Sequence, residues 1–351
     1  MKKGIVLLIF LLLGIALFVF TLKQVGLDGI LESLALLSWW EMLIVFILLF
    51  ISLVVVGGWK WKVILGRKDK GLFWTLFIGK WVGFSLSHVT PAALLGGEPA
   101  RFLIVKNETN IESSEIVSSI ILEKLSTFLI FMIMFFIGAF FILFYIDMAW
   151  LSQLIGIVIV VAVALLAWRI VRKIKHISHN EGFFKYIIHK LRLDRIKMIK
   201  DNVVRMDEVE EQVRVFLKKH KDRLFKLILI TLFELVITFF AYWLIMYYSG
   251  VNMSIGKLIA IRTTIDASYN LTPIPAGLGV LEILQAHVFG AIGLTLANGV
   301  AFSLIFRGAN LLISLIGIAI FAWMQLKYWG KQVLDKIEEF IIKYTNGKNN
   351  H

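Results

Sequence analysis

Long apolar runs constrain this chain more than any other feature, because they need a membrane as their solvent. Two examples are residues 116–145 and 227–248, in which charged residues are rare. A helix that rises about 1.5 Å per residue crosses about 30 Å of hydrocarbon in about 20 residues. Hydrophobic residues make up 59% of the 351-residue chain, more than one soluble core of this size buries. The sequence therefore predicts an all-α, polytopic membrane protein.

The positive charge of the chain is concentrated in one segment. Residues 169–226 contain 17 Lys and Arg against 8 Asp and Glu, and so supply nine of the net +13 charges. Lys and Arg are enriched in the cytoplasmic loops of membrane proteins. We therefore interpret this segment as a cytoplasmic loop and not as a nucleic-acid surface. Its apolar residues, three or four positions apart from Ile199 to Phe216, predict an amphipathic helix.

The apolar runs and the basic loops together predict a topology with both termini in the cytoplasm. The basic start lacks a small-residue cleavage site, so we expect a retained first span and not a signal peptide. Residues 27–37 predict an amphipathic interfacial helix, and the basic residues 59–70 predict a cytoplasmic loop. About six full spans are expected, near residues 4–22, 40–59, 116–145, 150–168, 227–248 and 300–324. The predicted units are a first membrane half (1–168), a basic cytoplasmic segment (169–226), a second membrane half (227–326) and a lysine-rich cytoplasmic tail (327–351).

The four prolines of the chain occur in two interruptions of the apolar pattern, HVTPAALLGGEPAR at 88–101 and LTPIPAGLGVLE at 271–282. Proline removes an amide donor and glycine favours non-helical backbone, so a helix ends at each interruption. Hydrocarbon cannot satisfy the freed polar groups. We therefore predict two re-entrant helical hairpins that face a polar ligand or water; the alternative is a proline kink in each of two full-length helices. The backbone positions concerned are Thr90, Pro91, Gly96, Gly97, Pro99, Thr272, Pro273, Pro275, Gly277 and Gly279.

The two interruptions also align with each other. They lie about 180 residues apart, close to half of the chain, and the alignment places Glu98 opposite Glu282. On the predicted topology one hairpin enters from the cytoplasm and the other from outside. This arrangement is an inverted-topology repeat, and paired interruptions of this kind mark the midplane substrate site of transporters.

Ionisable side chains at membrane depth cost several kcal/mol unless they are paired or hydrated, so each is a candidate for function. Arg262 and Asp266, four residues apart, are expected to pair. Lys80 is expected to extend to an interface, Glu234 is either structural or functional, and His88 is interpreted as a helix-end residue. The predicted substrate-binding set is Glu98, Arg101, Glu123, Lys124, Arg262, Asp266, Glu282 and Arg307.

The spacing within this set predicts some of its partners. Glu98 and Arg101 lie three residues apart and share a helix face, so they can pair locally. Glu123 and Lys124 are neighbours and diverge on a helix, so each needs another partner. Arg307 stands alone in the last span, where its guanidinium requires a carboxylate or a ligand phosphate.

Sequence signals for an enzyme are poor. The chain has no Asp-x-Asp pair, no Gly-x-Ser-x-Gly elbow, no HExxH and no phosphate-binding GxxxxGK. It has no cysteine, which excludes disulfides and thiolate chemistry. His176 and His179 lie in a basic loop without carboxylate support and are interpreted as solvated. We expect no catalytic residue, no metal site and no cofactor.

Three motifs resemble the flippase-like integral membrane domain family: PAALLGGEPARFLIV, then ILEKLSTF, and finally PIPAGLGVLE. That family includes the transmembrane region of the lysylphosphatidylglycerol synthases, the multiple peptide resistance factors. The resemblance implies movement of a lipid between leaflets. Where the family commonly has a Glu-Arg pair at the second motif, this chain has Glu123 and Lys124, which keeps the charge but loses the bidentate fork. The synthases carry a soluble transferase domain after further spans, and since residues 327–351 contain none, lysyl-tRNA-dependent transfer is not expected.

These observations together lead to the hypothesis of a lipid flippase in a prokaryotic plasma membrane, with no nucleic-acid partner. Its substrate is expected to be an anionic or zwitterionic phospholipid or a polyprenyl-phosphate lipid. The basic members of the set would attract phosphate, and the acidic members would receive cationic groups or protons. Two other functions stay open: a membrane-embedded aminoacyl or glycosyl transferase that uses Glu98 or Glu123, and a subunit that binds a cytosolic enzyme through residues 169–226. A homo-oligomer also stays open.

Overall fold

A computed structural model describes residues 19–20, 22–23, 27–89, 97–145, 161, 164–165, 168–169, 203–271, 274 and 277–348. Within these residues the chain is helical and contains no strand, so the all-α prediction is confirmed. The predicted spans near 4–22 and 150–168 lie largely outside the described residues, as does most of the basic segment before residue 203. The predicted backbone positions that fall outside are Thr90, Pro91, Gly96, Thr272, Pro273 and Pro275.

The residues that the structure describes form a succession of helices. In chain order they are α1 Leu27–Ala35, α2 Trp39–Phe50, α3 Gly57–Leu65, α4 Leu72–Val89, α5 Glu98–Glu108, α6 Ser113–Tyr145, α7 Val203–Lys219, α8 Lys221–Tyr248, α9 Ile255–Leu271, α10 Val280–Ala291 and α11 Leu296–Lys348. A π-helical turn at Ile51–Val56 joins α2 to α3 without a break. Among the described residues, four stretches are long and apolar enough to cross a membrane: Trp39–Leu65, Ser113–Phe141, Lys221–Tyr248 and Leu296–Lys327.

The first of these stretches corrects the sequence prediction. Residues 59–70 were expected to form a cytoplasmic loop, but the helix continues to Leu65. It ends at Gly66, whose φ of 64° lies in the left-handed region that glycine adopts without strain. The amide of Gly66 donates to the Lys62 carbonyl at 2.9 Å and closes the last turn. The prediction failed because lysine signals a loop in the sequence, whereas Lys60 is buried among helices.

Helices α4 and α5 form an antiparallel pair. The Gly97 amide, just before α5, donates to the Ser87 hydroxyl near the end of α4 at 2.9 Å. Glycine is required at this crossing, because a side chain at Gly97 would overlap the carbonyl group of Gly83. The chain therefore reverses direction between Val89 and Gly97, at the first predicted interruption.

Helices α9 and α10 form a second antiparallel pair. The Gln285 amide on α10 donates to the Thr264 hydroxyl on α9 at 2.8 Å. The turn between them contains Gly277 and Gly279, with φ of 61° and 78°. Both conformations are accessible to glycine without a Cβ penalty. The chain thus reverses direction at the second predicted interruption as well.

The two helical pairs start from opposite ends of the bundle. Arg67, just after α3, pairs with Glu115 at the start of α6, and Arg223 at the start of α8 donates to the Leu65 carbonyl at the end of α3. These three helix ends therefore lie at one end of the bundle. Helix α4 starts at the same end, and α5 ends there. At the other end Trp40 contacts Tyr248, and α9 begins seven residues later. The last turns of α4 and α9 meet in the interior, where the rings of His88 and Tyr269 lie 5.6 Å apart. Helix α11 packs against both pairs.

Two amphipathic helices pack on this bundle. The amphipathic helix expected around residues 199–216 is described as α7, and it packs against α6, with Val209 and Phe216 buried. The Ser118 hydroxyl on α6 donates to the Gln212 amide oxygen of α7 at 2.8 Å. Helix α1 buries Ile30 against α10 and α11. The apolar faces of both helices are therefore covered, at least in part, by other helices of the same chain.

Candidate functional site

Five of the ionisable side chains form one connected group, which we call the first cluster: Lys80 from α4, Glu98 and Arg101 from α5, and Glu123 and Lys124 from α6. Arg101 and Glu123, each 1% exposed, form an ion pair at its centre. Arg101 also pairs with Glu98 at 2.8 Å, and Glu123 also pairs with Lys80. Lys124 pairs with Glu98 at 2.7 Å. Each carboxylate therefore bridges two cations.

The local sequence explains how these groups converge. Glu98 and Arg101 lie on the first turn of α5, and the expected local pair is present. The negative charge of Glu98 is also favoured at the positive end of the helix dipole. Glu123 and Lys124 point in different directions on α6 and find separate partners, as expected for neighbours on a helix.

An aromatic side chain supports the centre of the first cluster. The Arg101 guanidinium lies over the Trp61 ring at 4.3 Å from its centroid. Trp61 is itself buried and donates its indole N–H to the Ser119 hydroxyl at 2.7 Å. A cation stacked on an indole face gains electrostatic stabilisation. Trp61 was not among the predicted site residues, because the sequence predicted a loop in this part of the chain.

Lys60 and Lys80 lie where sequence reasoning did not place them. Lys60 is 1% exposed and pairs with Glu234 of α8 at 2.6 Å. Lys80 was expected to extend to an interface, which is wrong, since its ammonium pairs with buried Glu123. The signal that was available is charge balance: Glu123 and Glu234 lie in apolar segments and require cations nearby.

The second cluster consists of Glu282 and Arg307 with the backbone of Gly277 and Gly279. Glu282 is fully buried, and its carboxylate lies 2.6 Å from the Arg307 guanidinium. Arg307 also donates to the Gly277 carbonyl at 3.1 Å. The Gly279 amide donates to Glu282 at 2.9 Å. The arginine of α11 thus fixes the turn between α9 and α10, and its partner is a carboxylate, one of the two alternatives that the sequence left open.

Further polar side chains are buried next to the second cluster. They include His88 on α4 and both Asn310 and Ser314 on α11, which are polar residues buried in largely apolar helices. Within the described residues, no hydrogen-bond partner is found for His88 Nε2 or Ser314 Oγ. Buried polar atoms of this kind normally have a partner in the protein or in water. The meeting point of the two helical pairs is therefore polar.

Arg262 and Asp266 form a third set on α9. Their side chains pair at 2.8 Å, as the spacing predicted, and Arg262 donates to the Tyr242 hydroxyl at 3.5 Å. Both residues of this set lie on the same helix, whereas each of the two clusters combines residues from different helices. The eight predicted residues therefore occur in three sets, of which two combine different helices. Among the residues that the structure describes, there is no group of three or more histidine or acidic side chains suited to a metal ion.

The fold and these clusters define the class: a polytopic, all-helical membrane protein with buried ion-pair clusters. Residues 5–317 match the lysylphosphatidylglycerol synthase TM region, and the chain belongs to this family, which confirms the resemblance seen in the sequence. The chain is also similar to the UPF0104 membrane protein PH1989 of Pyrococcus horikoshii. The two are 23% identical over 269 residues, which cover 74% of this chain and 80% of that relative. No solved structure matches the chain.

Proposed function

We propose that this protein is a transporter that moves a lipid with a phosphate-containing head group between the leaflets of a membrane. The observation that supports it most is the charge of the first cluster. Three cations and two carboxylates leave this buried group with a net charge of +1. At an effective dielectric constant of about 20, two unit charges 4 Å apart interact by about 4 kcal/mol. An anionic phosphate is the head-group feature that such a site attracts.

The most accessible member of the first cluster is Lys124, whose partner is Glu98. Lys124 is 30% exposed and Glu98 is 13% exposed, whereas Arg101 and Glu123 are almost fully buried. In the proposed cycle a lipid phosphate replaces Glu98 as the partner of Lys124 and Arg101, and Glu98 then takes up a proton. Release of that proton returns Glu98 to its cations and displaces the phosphate.

The two helical pairs supply the alternating access that a transporter needs. We infer that the α4–α5 pair and the α9–α10 pair are re-entrant, one from the cytoplasmic side and one from the external side. Their origin at opposite ends of the bundle and their meeting at His88 and Tyr269 support this inference. Inverted repeats with interrupted helices at the midplane are the usual architecture of secondary transporters. The six spans, the plasma membrane location and the cytoplasmic termini belong to the same proposal.

Leaflet exchange in vesicles tests this function. The full chain is reconstituted in vesicles with phosphatidylglycerol that carries a fluorescent head-group label. A quencher that cannot cross the membrane is added outside, and the fraction of the fluorescence that it removes is followed over time. We expect exchange with the wild type and loss of exchange with Glu98→Gln and with Lys124→Gln. The matched control is Glu115→Gln, which removes the same charge from α6 outside the cluster. Exchange that both cluster variants leave unchanged would contradict the proposed site.

The family description supports one rival function. It names a synthase, so a membrane-embedded transferase that modifies a lipid head group is the alternative. The partly exposed Glu98 would be its catalytic carboxylate. Mass spectrometry of the same vesicles separates the two, because a transporter leaves the labelled lipid chemically unchanged and a transferase alters its mass. A modified lipid that disappears with Glu98→Gln would establish the transferase.

A further inference from the structure

A second charged region lies at the end of the bundle where α3 ends and α8 begins. Here a cavity of about 660 Å³ is lined by residues of α3, of the connection to α4, and of the first turns of α8. Its volume is in the range of about 300–1,000 Å³ that is usual for ligand pockets. None of the members of the two clusters lines it, so it is a separate site.

The cavity is strongly basic. Five of its lining side chains are cationic and one is acidic: Lys62, Arg67, Lys68, Arg223, Lys226 and Asp222. The carboxylate of Glu115 neutralises one of the cations, because both of its oxygens accept from Arg67, at 2.9 and 2.6 Å. This hydrogen bonding raises the pKa of Arg67. The remaining four lining cations outnumber the one acidic lining residue, Asp222, which leaves an excess of positive charge in the lining for an anionic ligand.

Two of these cations are held in place by the protein. Arg223 donates to the Leu65 carbonyl at 3.4 Å, at the carbonyl end of α3. Its guanidinium fills the space beside Gly66, where a side chain would overlap it. The ammonium of Lys62 lies 5.9 Å from the centroid of the Phe73 ring. A diffuse basic surface would show no such positioning.

The other wall of the cavity is apolar. Val55, Trp59 and Val63 line it from α3 and the π-helical turn before it. Trp59 is exposed at the edge of the apolar stretch, as tryptophans at membrane interfaces are. A ligand with a charged phosphate and an adjoining acyl chain fits both walls, whereas free phosphate uses only the basic one.

We propose that this cavity binds the head-group phosphate of an anionic phospholipid in the adjacent leaflet. Basic pockets between membrane helices at the cytoplasmic surface recognise anionic lipid head groups in this way. The site is independent of the transport proposed above, since it would bind lipid whether or not the first cluster moves one.

Native mass spectrometry of the full chain in detergent tests this site, with phosphatidylglycerol and phosphatidylcholine as probes. We expect a retained phosphatidylglycerol adduct that Lys62→Gln/Lys226→Gln weakens by about thirtyfold, because each basic side chain near an anionic surface contributes about fivefold. The matched control is Lys218→Gln/Lys219→Gln, which removes the same charge from the exposed end of α7 and should leave the adduct unchanged.

A second variant separates a built site from general attraction. Gly66→Ala keeps every charge but displaces the Arg223 guanidinium, so we expect it to weaken the phosphatidylglycerol adduct as well. Three results would overturn the proposal: equal retention of phosphatidylcholine, equal loss in the α7 control, or an adduct that millimolar inorganic phosphate displaces completely. The last result would assign the cavity to a free phosphate ion. Leaflet exchange is not a readout here, so failure of the transport proposal leaves this test unaffected.

Discussion

The substitution Glu123→Gln tests whether water is excluded from the ion pairs at the centre of the first cluster. Glu123 is 1% exposed and is the direct partner of both Arg101 and Lys80. Glutamine has nearly the same shape but no charge, so it leaves two buried cations with one fewer counter-charge. Breaking a buried ion pair by removing one partner costs about 3–5 kcal/mol. We therefore expect a loss of stability of about that size, which lowers the folded-to-unfolded ratio by a factor of about a hundred or more.

The same helix supplies a matched control. Glu115→Gln removes an identical charge, but Glu115 is 27% exposed and its partner Arg67 is 39% exposed. A pair this accessible is worth about 0–1 kcal/mol. The free energy of unfolding of the wild type and both variants would be measured by titration with sodium dodecyl sulfate in mixed micelles, with far-ultraviolet circular dichroism as the readout.

A double variant shows that the cost comes from the unpaired cations. Lys80→Met removes one of them, so Glu123→Gln should cost less in that background than in the wild type. The difference is the coupling free energy of the pair. The reasoning is refuted if Glu123→Gln destabilises the protein no more than Glu115→Gln does, because water would then already screen the cluster.

Two further substitutions test the turns of the helical pairs. Gly97→Ala should destabilise the protein by about 1–3 kcal/mol, because the new methyl group overlaps the backbone of α4. Gly308→Ala on α11, which meets nothing within 4 Å, should be neutral or slightly stabilising in the same titration, and equal effects would contradict the close crossing. Arg307→Lys should keep the charge pair with Glu282 but lose the hydrogen bond to Gly277, at a cost of about 1–3 kcal/mol. A fully stable lysine variant would show that this hydrogen bond is not needed.

The failures of sequence prediction share a cause. Lys60 and Lys80 were assigned to a loop and to an interface, because lysine is usually found in both. Their true environment depends on Glu234 and Glu123, which lie 174 and 43 residues away in the chain. Local sequence carries no information on which distant helix packs alongside, so it could not show that these ammonium groups are neutralised.

The sequence by itself determined that this is a helical membrane protein and that its apolar pattern is interrupted at two places. It also determined the ion pairs within one helix, such as Glu98 with Arg101 and Arg262 with Asp266. These features follow from composition and from the helical repeat, which fix neighbours three or four residues apart. Only the tertiary structure decided that Lys80 meets Glu123 and that Arg307 meets Glu282. An ion pair forms only between groups a few ångströms apart, and the packing of whole helices, not the order of residues, brings such groups together.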